Sequence, residues 1–338
     1  MSKSEEGSGD AFTEFRYSIS EPRSAFISGN TYNDKEVKYS VIDGLAIFEG
    51  DIILGTAEEL EKSISRAPSE TGIVISGSKF RWPNREVPYL IESNFPNENR
   101  IIDAIQHWEE RTPIRFVKRT NSNSPRYPNY ISFERGSGCS SHVGMRGGKQ
   151  VITLCDRCSK GSTIHEISHA IGLWHEQSRE DRDSFIRIRW ENIDPVNSHN
   201  FNQHITDGDD VGSYDYCSIM HYTLTAFSIN GQPTIVPLNT GTECMGQRNT
   251  LSNGDVAAVL QIYGVMQVLS LGSRGSEVEF LQRILSTAGY VLGSIDGIFG
   301  NKTKSAVMKF QKDKGLAVDG IVGPKTWNKL ISLSTIPS

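Results

Sequence analysis

The chain has 338 residues, 37% of them hydrophobic and 22% charged, with a formal net charge of −5. That length exceeds one typical domain and admits two or three, with enough apolar content for packed cores. The acidic balance leaves no global basic field for nucleic acid, the short basic clusters read as solvated surface, and no run of 18 apolar residues is present to span a bilayer.

Residues 1–14 read as an acidic, Ser/Gly-rich leader without periodicity. They lack the apolar core of a secretory signal peptide, so either a signal has been removed or export uses another route. From Phe15 to about Glu70 the pattern is mixed and cannot bury a large core alone. Its informative piece is Gly44 to Gly55, which contains Phe48-x-Gly50-Asp51. Glu-Gly-Asp is also plain turn chemistry. Residues 57–66 alternate Glu with apolar positions and predict a short helix.

Residues 86–92 read as a strand. Asn99 to Arg111 carries Ile101, Ile102, Ala104, Ile105 and Trp108 at helical period, a packing stripe. Residues 114–117, 130–133 and 150–154 are β-type runs. Strands around two long helices give a mixed sheet. Gly136, Gly138, Gly144, Gly147 and Gly148 lie in a flexible connection between strands.

Residues 163–176 read as metal chemistry. His165 and His169 are four residues apart, which on a helix puts both imidazoles on one face, about 40° apart around the axis. Two such nitrogens can hold one Zn²⁺ at roughly 2.0–2.1 Å each. Glu166, beside the first, can take a proton from a water at the metal. Gly172 can end the helix at φ > 0, and His175 can then return as a third ligand. Three protein nitrogens and an open position make a catalytic rather than a structural zinc site. His199 and His204 fall outside this spacing and read as surface or packing histidines. Leu251-Ser252-x-x-Asp255 opens a later helix with a capping pattern.

A short linker, 264–270, leads into an internal repeat. Residues 295–303 and 318–326 each hold an Asp-Gly turn, then Gly-x-Lys-Thr and a helical run. With the amphipathic stretch around Val278, Leu281, Ile284 and Leu285, this predicts a compact three-helix unit. Asp296 and Asp319 read as structural turn residues.

The five cysteines are Cys139, Cys155, Cys158, Cys217 and Cys244, an odd number that leaves at least one unpaired within the chain. Cys155-x-x-Cys158 admits a second zinc site or a redox pair, both weak without partners. A spare thiol at Cys155 is the simpler reading.

HExxHxxGxxH from His165 to His175 also fits the metzincin pattern, which places a methionine turn downstream; Ser218-Ile219-Met220-His221-Tyr222 supplies one. With Glu176, Arg179, Asp181, Arg182 and Asp183, these residues resemble the astacin family of zinc endopeptidases over roughly 73–263. The resemblance implies a two-lobed α+β domain with its cleft between the lobes. It implies one catalytic Zn²⁺ on His165, His169, His175 and Tyr222, with Tyr222 swinging away to stabilise the transition state; by itself Tyr222 reads as a core tyrosine. Met220 would floor the metal, and Glu176 would meet the mature amino terminus. The upper-lobe strand nearest the cleft would align substrate by edge pairing. Phe48-x-Gly50-Asp51 resembles the family's propeptide motif, in which Asp51 would take the open zinc position. Cys139 would bridge to Cys158, and Cys217 could then bridge to Cys244, a departure from the family's usual second disulfide. Such bridges imply an oxidising compartment. Leu271 onward, with Asp-Gly-Ile-Phe-Gly and Val-Asp-Gly-Ile-Val-Gly, resembles the peptidoglycan-binding domains of cell-wall hydrolases.

These readings converge on a bacterial-type zinc endopeptidase made as a latent zymogen and targeted to cell wall. Its parts are a leader and inhibitory propeptide over 1–72, the protease domain over 73–263, a linker over 264–270 and a peptidoglycan-binding-like unit over 271–333. The partners are a protein or peptide substrate and wall glycopeptide, with no nucleic acid and no membrane span, in an extracellular or wall-associated setting. A hydrolase of peptidoglycan crosslinks ranks second, and a wall-binding protein permanently capped by Asp51 third.

Overall fold

The computed structural model describes residues 15–28, 35–64, 73–74, 78–203 and 211–332. The leader over 1–14, the stretch 65–72 ahead of the expected start at Ile73, and His204 lie outside these residues.

The first sheet has the order β4-β3-β2-β1-β5, from β1 (Arg23–Ser28), β2 (Lys35–Ile42), β3 (Leu45–Phe48), β4 (Ile52–Thr56) and β5 (Ile73–Val74). Neighbours run antiparallel except β1 and β5, which are parallel. The β2–β3 reversal rests on Asp43-Gly44, whose φ values of 52° and 77° suit the twist of a two-residue hairpin. Helix α1 (Ala57–Ile64) follows. This group completes its core with outside help, because Tyr39, Phe48, Ile52 and Leu60 pack with Val143 and Trp174 of the unit behind them.

That unit is the upper lobe, built from β6 (Glu86–Ile91), α2 (Asn99–Arg111), β7 (Arg115–Lys118), β8 (Tyr130–Arg135), β9 (Lys149–Leu154) and α3 (Lys160–Ile171). The order is β7-β6-β8-β9, all three pairs parallel, with an antiparallel bridge between Ser140 and Thr153 beside β9. On α2, Ile101, Ala104, Ile105 and Trp108 are buried at the spacing of one helix face. Ile102 falls off that face and is 38% exposed, since one residue turns the side chain by about 100°. Trp82 and Trp108 donate their indole N–H groups to the Ala170 and Ile164 carbonyls of α3. Every residue of α3 from Gly161 to Ile171 is buried, so its rotation is fixed from all sides.

The lower lobe is mostly irregular. It holds the antiparallel pair β10 (Ile186–Ile188) and β11 (Ile235–Pro237) and an aromatic core of Phe201, Tyr214, Tyr222 and Phe227. His199 packs there, its Nδ1 bonded to Val196 O at 2.9 Å. Cys217 is joined to Cys244, and Cys139 is joined to Cys158, tying the loop beside β9 to the start of α3. Cys155 keeps its thiol, 3.4 Å from the Cys158 sulfur. Helix α4 (Asn253–Ile262) begins at a Ser252/Asp255 capping box.

Helices α5 (Ser276–Thr287), α6 (Asn301–Asp313) and α7 (Pro324–Ile331) form the C-terminal unit. The repeat folds twice around a buried glutamine. Gln282 donates to Asp296, Ile298 O and Thr303 and accepts from the backbone of Asp296 and Gly297. Gln311 donates to Asp319, Ile321 O and Thr326 and accepts from Gly320 N. The stretch 264–270 is more than a spacer: Val265 is buried, and Leu269 exchanges two backbone bonds with Val322. Arg85 of the upper lobe meets Glu277 of α5 at 2.8 Å.

Candidate metal centre

Helix α3 starts where Ser159 accepts from Ser162 N, a reciprocal capping box that satisfies two backbone donors. Its interior places His165 and His169 one turn apart on one face. Gly172 ends it at φ 118°, with its N–H bonded back to the Ser168 and His169 carbonyls. A side chain at Gly172 would be strained and would collide with the Arg81 guanidinium. The reversal brings His175 back, and the three imidazole centroids lie 4.7–5.4 Å apart.

Each imidazole is oriented through Nδ1. His165 Nδ1 lies 2.7 Å from Ile219 O, His169 Nδ1 2.9 Å from Leu173 O, and His175 Nδ1 2.8 Å from the Glu49 carboxylate. All three Nε2 atoms are thereby aimed inward, which is how the outer partner of a metal-binding histidine sets its tautomer. They converge on one carboxylate: Asp51 lies 3.1 Å from His165 Nε2, 3.4 Å from His169 Nε2 and 3.2 Å from His175 Nε2. All four side chains are fully buried, and one ligand atom from each lies within 4.8 Å of the others.

This set fits zinc on its own chemistry. His169 Nε2 and Asp51 Oδ1 are buried and make no hydrogen bond among the described residues. Buried polar atoms normally find partners, and here a cation would satisfy both. Burial, with Arg248 nearby, pushes the His165 pKa down to about 3, and burial lowers His169 as well, so both rings are neutral donors. Burial also works against a charged His175, but the Asp51 and Glu49 carboxylates outweigh it and raise it to about 9. Burial disfavours ionised Asp51 too, yet the positive His175 beside it holds it well below the ordinary carboxylate range. A metal ion at Nε2 would take over the role that proton plays here.

The other candidates surround this cluster. Glu166 follows His165 on α3, buried, close enough for its charge to act on the Arg16 guanidinium. The Tyr222 ring lies 4.9 Å from that of His175, and its hydroxyl donates to Glu49 O at 2.6 Å. Met220 is buried beside Ile219, and its carbonyl accepts from Glu176 N. The Glu176 carboxylate accepts from Asp215 N at 2.7 Å, and burial raises its pKa to about 8. It borders a cavity of about 60 Å³ that Gly172, Met220 and Asp255 also line. Ser141, in the loop tied down by the Cys139–Cys158 bridge, exchanges two backbone bonds with the start of β4: Ile53 N donates to its carbonyl at 2.7 Å, and its N–H donates to Asp51 O at 3.0 Å.

Two residues enter the site without having been singled out. Glu49 is the variable position of Phe48-x-Gly50-Asp51, and nothing in its residue type announced a bond to His175. Asp255, read only as a helix cap, also accepts from Ser218 Oγ at 2.6 Å and Ile219 N at 2.9 Å, which fixes the carbonyl that orients His165.

The chain is similar to several known proteins. Residues 74–264 match the Astacin peptidase family model, and residues 274–330 match a peptidoglycan binding domain model. The chain is 36% identical to zinc metalloproteinase nas-4 of Caenorhabditis elegans over 225 residues, covering 64% of this chain and 68% of that protein. It is 36% identical over 254 residues to meprin A subunit beta of Homo sapiens, covering 73% of this chain but 34% of that much longer protein. Among solved structures, high choriolytic enzyme 1, a hatching enzyme zinc-protease of Oryzias latipes, aligns at 38% identity and a TM-score of 0.49, covering 54% of this chain and 92% of that one.

Proposed function

Because the chain belongs to the astacin family of zinc metalloendopeptidases, we propose that it is a latent peptidase whose zinc position is capped by its own Asp51. The observation that carries this reading is the buried Asp51 carboxylate, 3.1–3.4 Å from three convergent Nε2 atoms. His165, His169 and His175 would hold the ion, with Asp51 as a further donor in place of water. When bound, zinc supplies a Lewis acid for the scissile carbonyl and makes a water more acidic.

The chain's own groups do the rest. Glu166 takes the proton of the attacking water on its carboxylate and delivers it to the leaving amide nitrogen. The Tyr222 hydroxyl, engaged by Glu49 in this form, turns to donate to the carbonyl oxygen as charge develops there. Met220 fills the floor beneath the histidines. The Ser141 backbone, relieved of Ile53 and Asp51, aligns an extended substrate by edge pairing. Removal of the region before about Ile73 uncovers the site. The new amino terminus then enters the cavity at Glu176, where an arriving ammonium would favour the ionised carboxylate that burial now disfavours.

The C-terminal unit, residues 271–333 beyond the 264–270 connection, carries this activity to peptidoglycan in our reading, which places the protein outside the cell or on its wall. Protein or peptide is the proposed substrate of the domain over 73–263. Peptide hydrolysis by the uncleaved, zinc-supplied chain tests the latency. Asp51→Ala should cleave peptides that the uncleaved wild type leaves intact. Full activity of the uncleaved wild type, or a silent Asp51→Ala chain with zinc bound, would sink the capping role. Casein and purified walls assayed in parallel separate a protease held on the wall from an enzyme that cuts it.

A further inference from the structure

The segment following the leader binds the lower lobe in a way that capping the zinc position does not require. Phe15 and Tyr17 lie against one ring, that of Phe227, at centroid distances of 5.4 and 4.8 Å, and Phe15 also meets Tyr222 at 4.5 Å. Arg16 points the other way, toward Asp43 and Ser137 at 2.6 and 2.7 Å. That alternation is the signature of an extended peptide. Its next residue is held at both backbone groups by one side chain: Asn197 Oδ1 accepts from Ser18 N at 3.2 Å, and Asn197 Nδ2 donates to Ser18 O at 3.1 Å. The buried Asn197 amide is itself oriented by Asp194.

Phe227 has φ 55°, a left-handed backbone for a bulky aromatic residue. Such strain costs on the order of 1–3 kcal/mol and persists at binding and catalytic sites more than elsewhere. Here it sets the ring against both aromatics of the N-terminal segment. Gly50 has to stay bare for this to work, since a Cβ there would lie 2.8 Å from the Phe227 ring and 3.3 Å from Phe15. Phe227, Tyr222 and Asn197 all belong to the lower lobe and remain when the capping sheet leaves.

We propose that residues 15–18 are a pseudosubstrate, and that Phe227, Tyr222 and Asn197 form a subsite for extended peptides carrying aromatic side chains at alternate positions. The two rings pack against Phe227, and the amide of Asn197 pairs with the backbone of the residue after them. This inference rests on the reading of the adjoining cleft as the peptidase cleft, and it names the class of peptide that cleft holds.

Two readouts on the full chain test it without relying on hydrolysis. Backbone hydrogen exchange at residues 16–18 should quicken at least tenfold in Phe15→Ala and in the shape-conserving Asn197→Asp, with β3 and β4 unchanged. A labelled acetyl-Phe-Arg-Tyr-Ser-Ile-Ser amide should bind the Phe15→Ala chain at least tenfold more tightly than the same peptide with alanine at both aromatic positions. Introducing Asn197→Asp beside Phe15→Ala should weaken the first peptide. Unchanged exchange in both variants, or equal binding of the two peptides, overturns the proposal. Failure of the capping role would show instead as a silent Asp51→Ala chain, so the two failures are distinct.

Discussion

The histidine cluster and the two glutamine centres of the C-terminal unit bury polar groups in opposite ways. Gln282 and Gln311 use their amides fully, and each amide closes an Asp-Gly turn within about 20 residues of itself, which is a structural arrangement. The cluster joins a local set, His165, His169 and His175, to Asp51 far upstream, and leaves His169 Nε2 and Asp51 Oδ1 without a hydrogen bond among the described residues. Burial of polar atoms alone therefore does not mark a site. Bonding capacity left over after burial does when several ligand-type atoms share it at one point.

Three measurements would break or sharpen that contrast. The largest effect belongs to Glu166→Gln, which should retain zinc, as metal analysis can verify, while peptide cleavage by the processed form drops by about 10²–10⁴-fold, the usual range for losing a general acid–base. Undiminished turnover would remove Glu166 from the chemistry. Next, Gln282→Leu orphans the Asp296 and Gly297 N–H groups and should cost about 1–3 kcal/mol, read as a lower melting temperature with hydrolysis untouched. No loss of stability would mean that the glutamine centre is dispensable.

The smallest effect concerns a histidine of the structural kind. His107 Nε2 accepts from Leu251 N at 3.1 Å, and burial, helped by Arg111 and Lys160, lowers its pKa to about 4. The unfolded chain takes up that proton near pH 6.5, the folded one only near 4. Its contribution is therefore present in full above pH 6.5 and fades as pH falls toward 4. In melting curves over that window, His107→Gln should flatten the acid side of the profile, by about 1 kcal/mol or somewhat more. An unchanged slope would show that His107 is protonated alike in both states.

Legibility in the sequence follows the range of the interaction. The His165–His175 spacing is local, set by helix pitch and one glycine, and so are the repeated Asp-Gly turns and the Ser252 cap. All could be read in one pass. Partners two hundred residues apart leave no such period. Phe15 and Tyr17 fell in a stretch whose mixed pattern gave them no role, because what gives them meaning is Phe227. Glu49 carries no signal as the variable residue of a four-residue motif. Asp255 showed its nearer task, capping α4, and hid its farther one, holding Ser218 and Ile219. Ile102 shows the limit within a helix, where an apolar residue beside a stripe need not belong to it.

The parallel pairing of β5 with β1 bears on how latency would end. Ile73 and Val74 lie on the downstream side of the expected cut, and Ile27 and Ser28, their partners, on the upstream side. A single scission between them would leave a two-chain complex still joined by this strand pair, the Ser141 bonds and the Phe227 contacts. What had been an intramolecular equilibrium would become a dissociation, and the effective concentration of the severed fragment would fall from that of a tether to that of the solution. Activity would then emerge on dilution or on destruction of the fragment, and a concentrated pool of nicked protein would stay silent until it spreads.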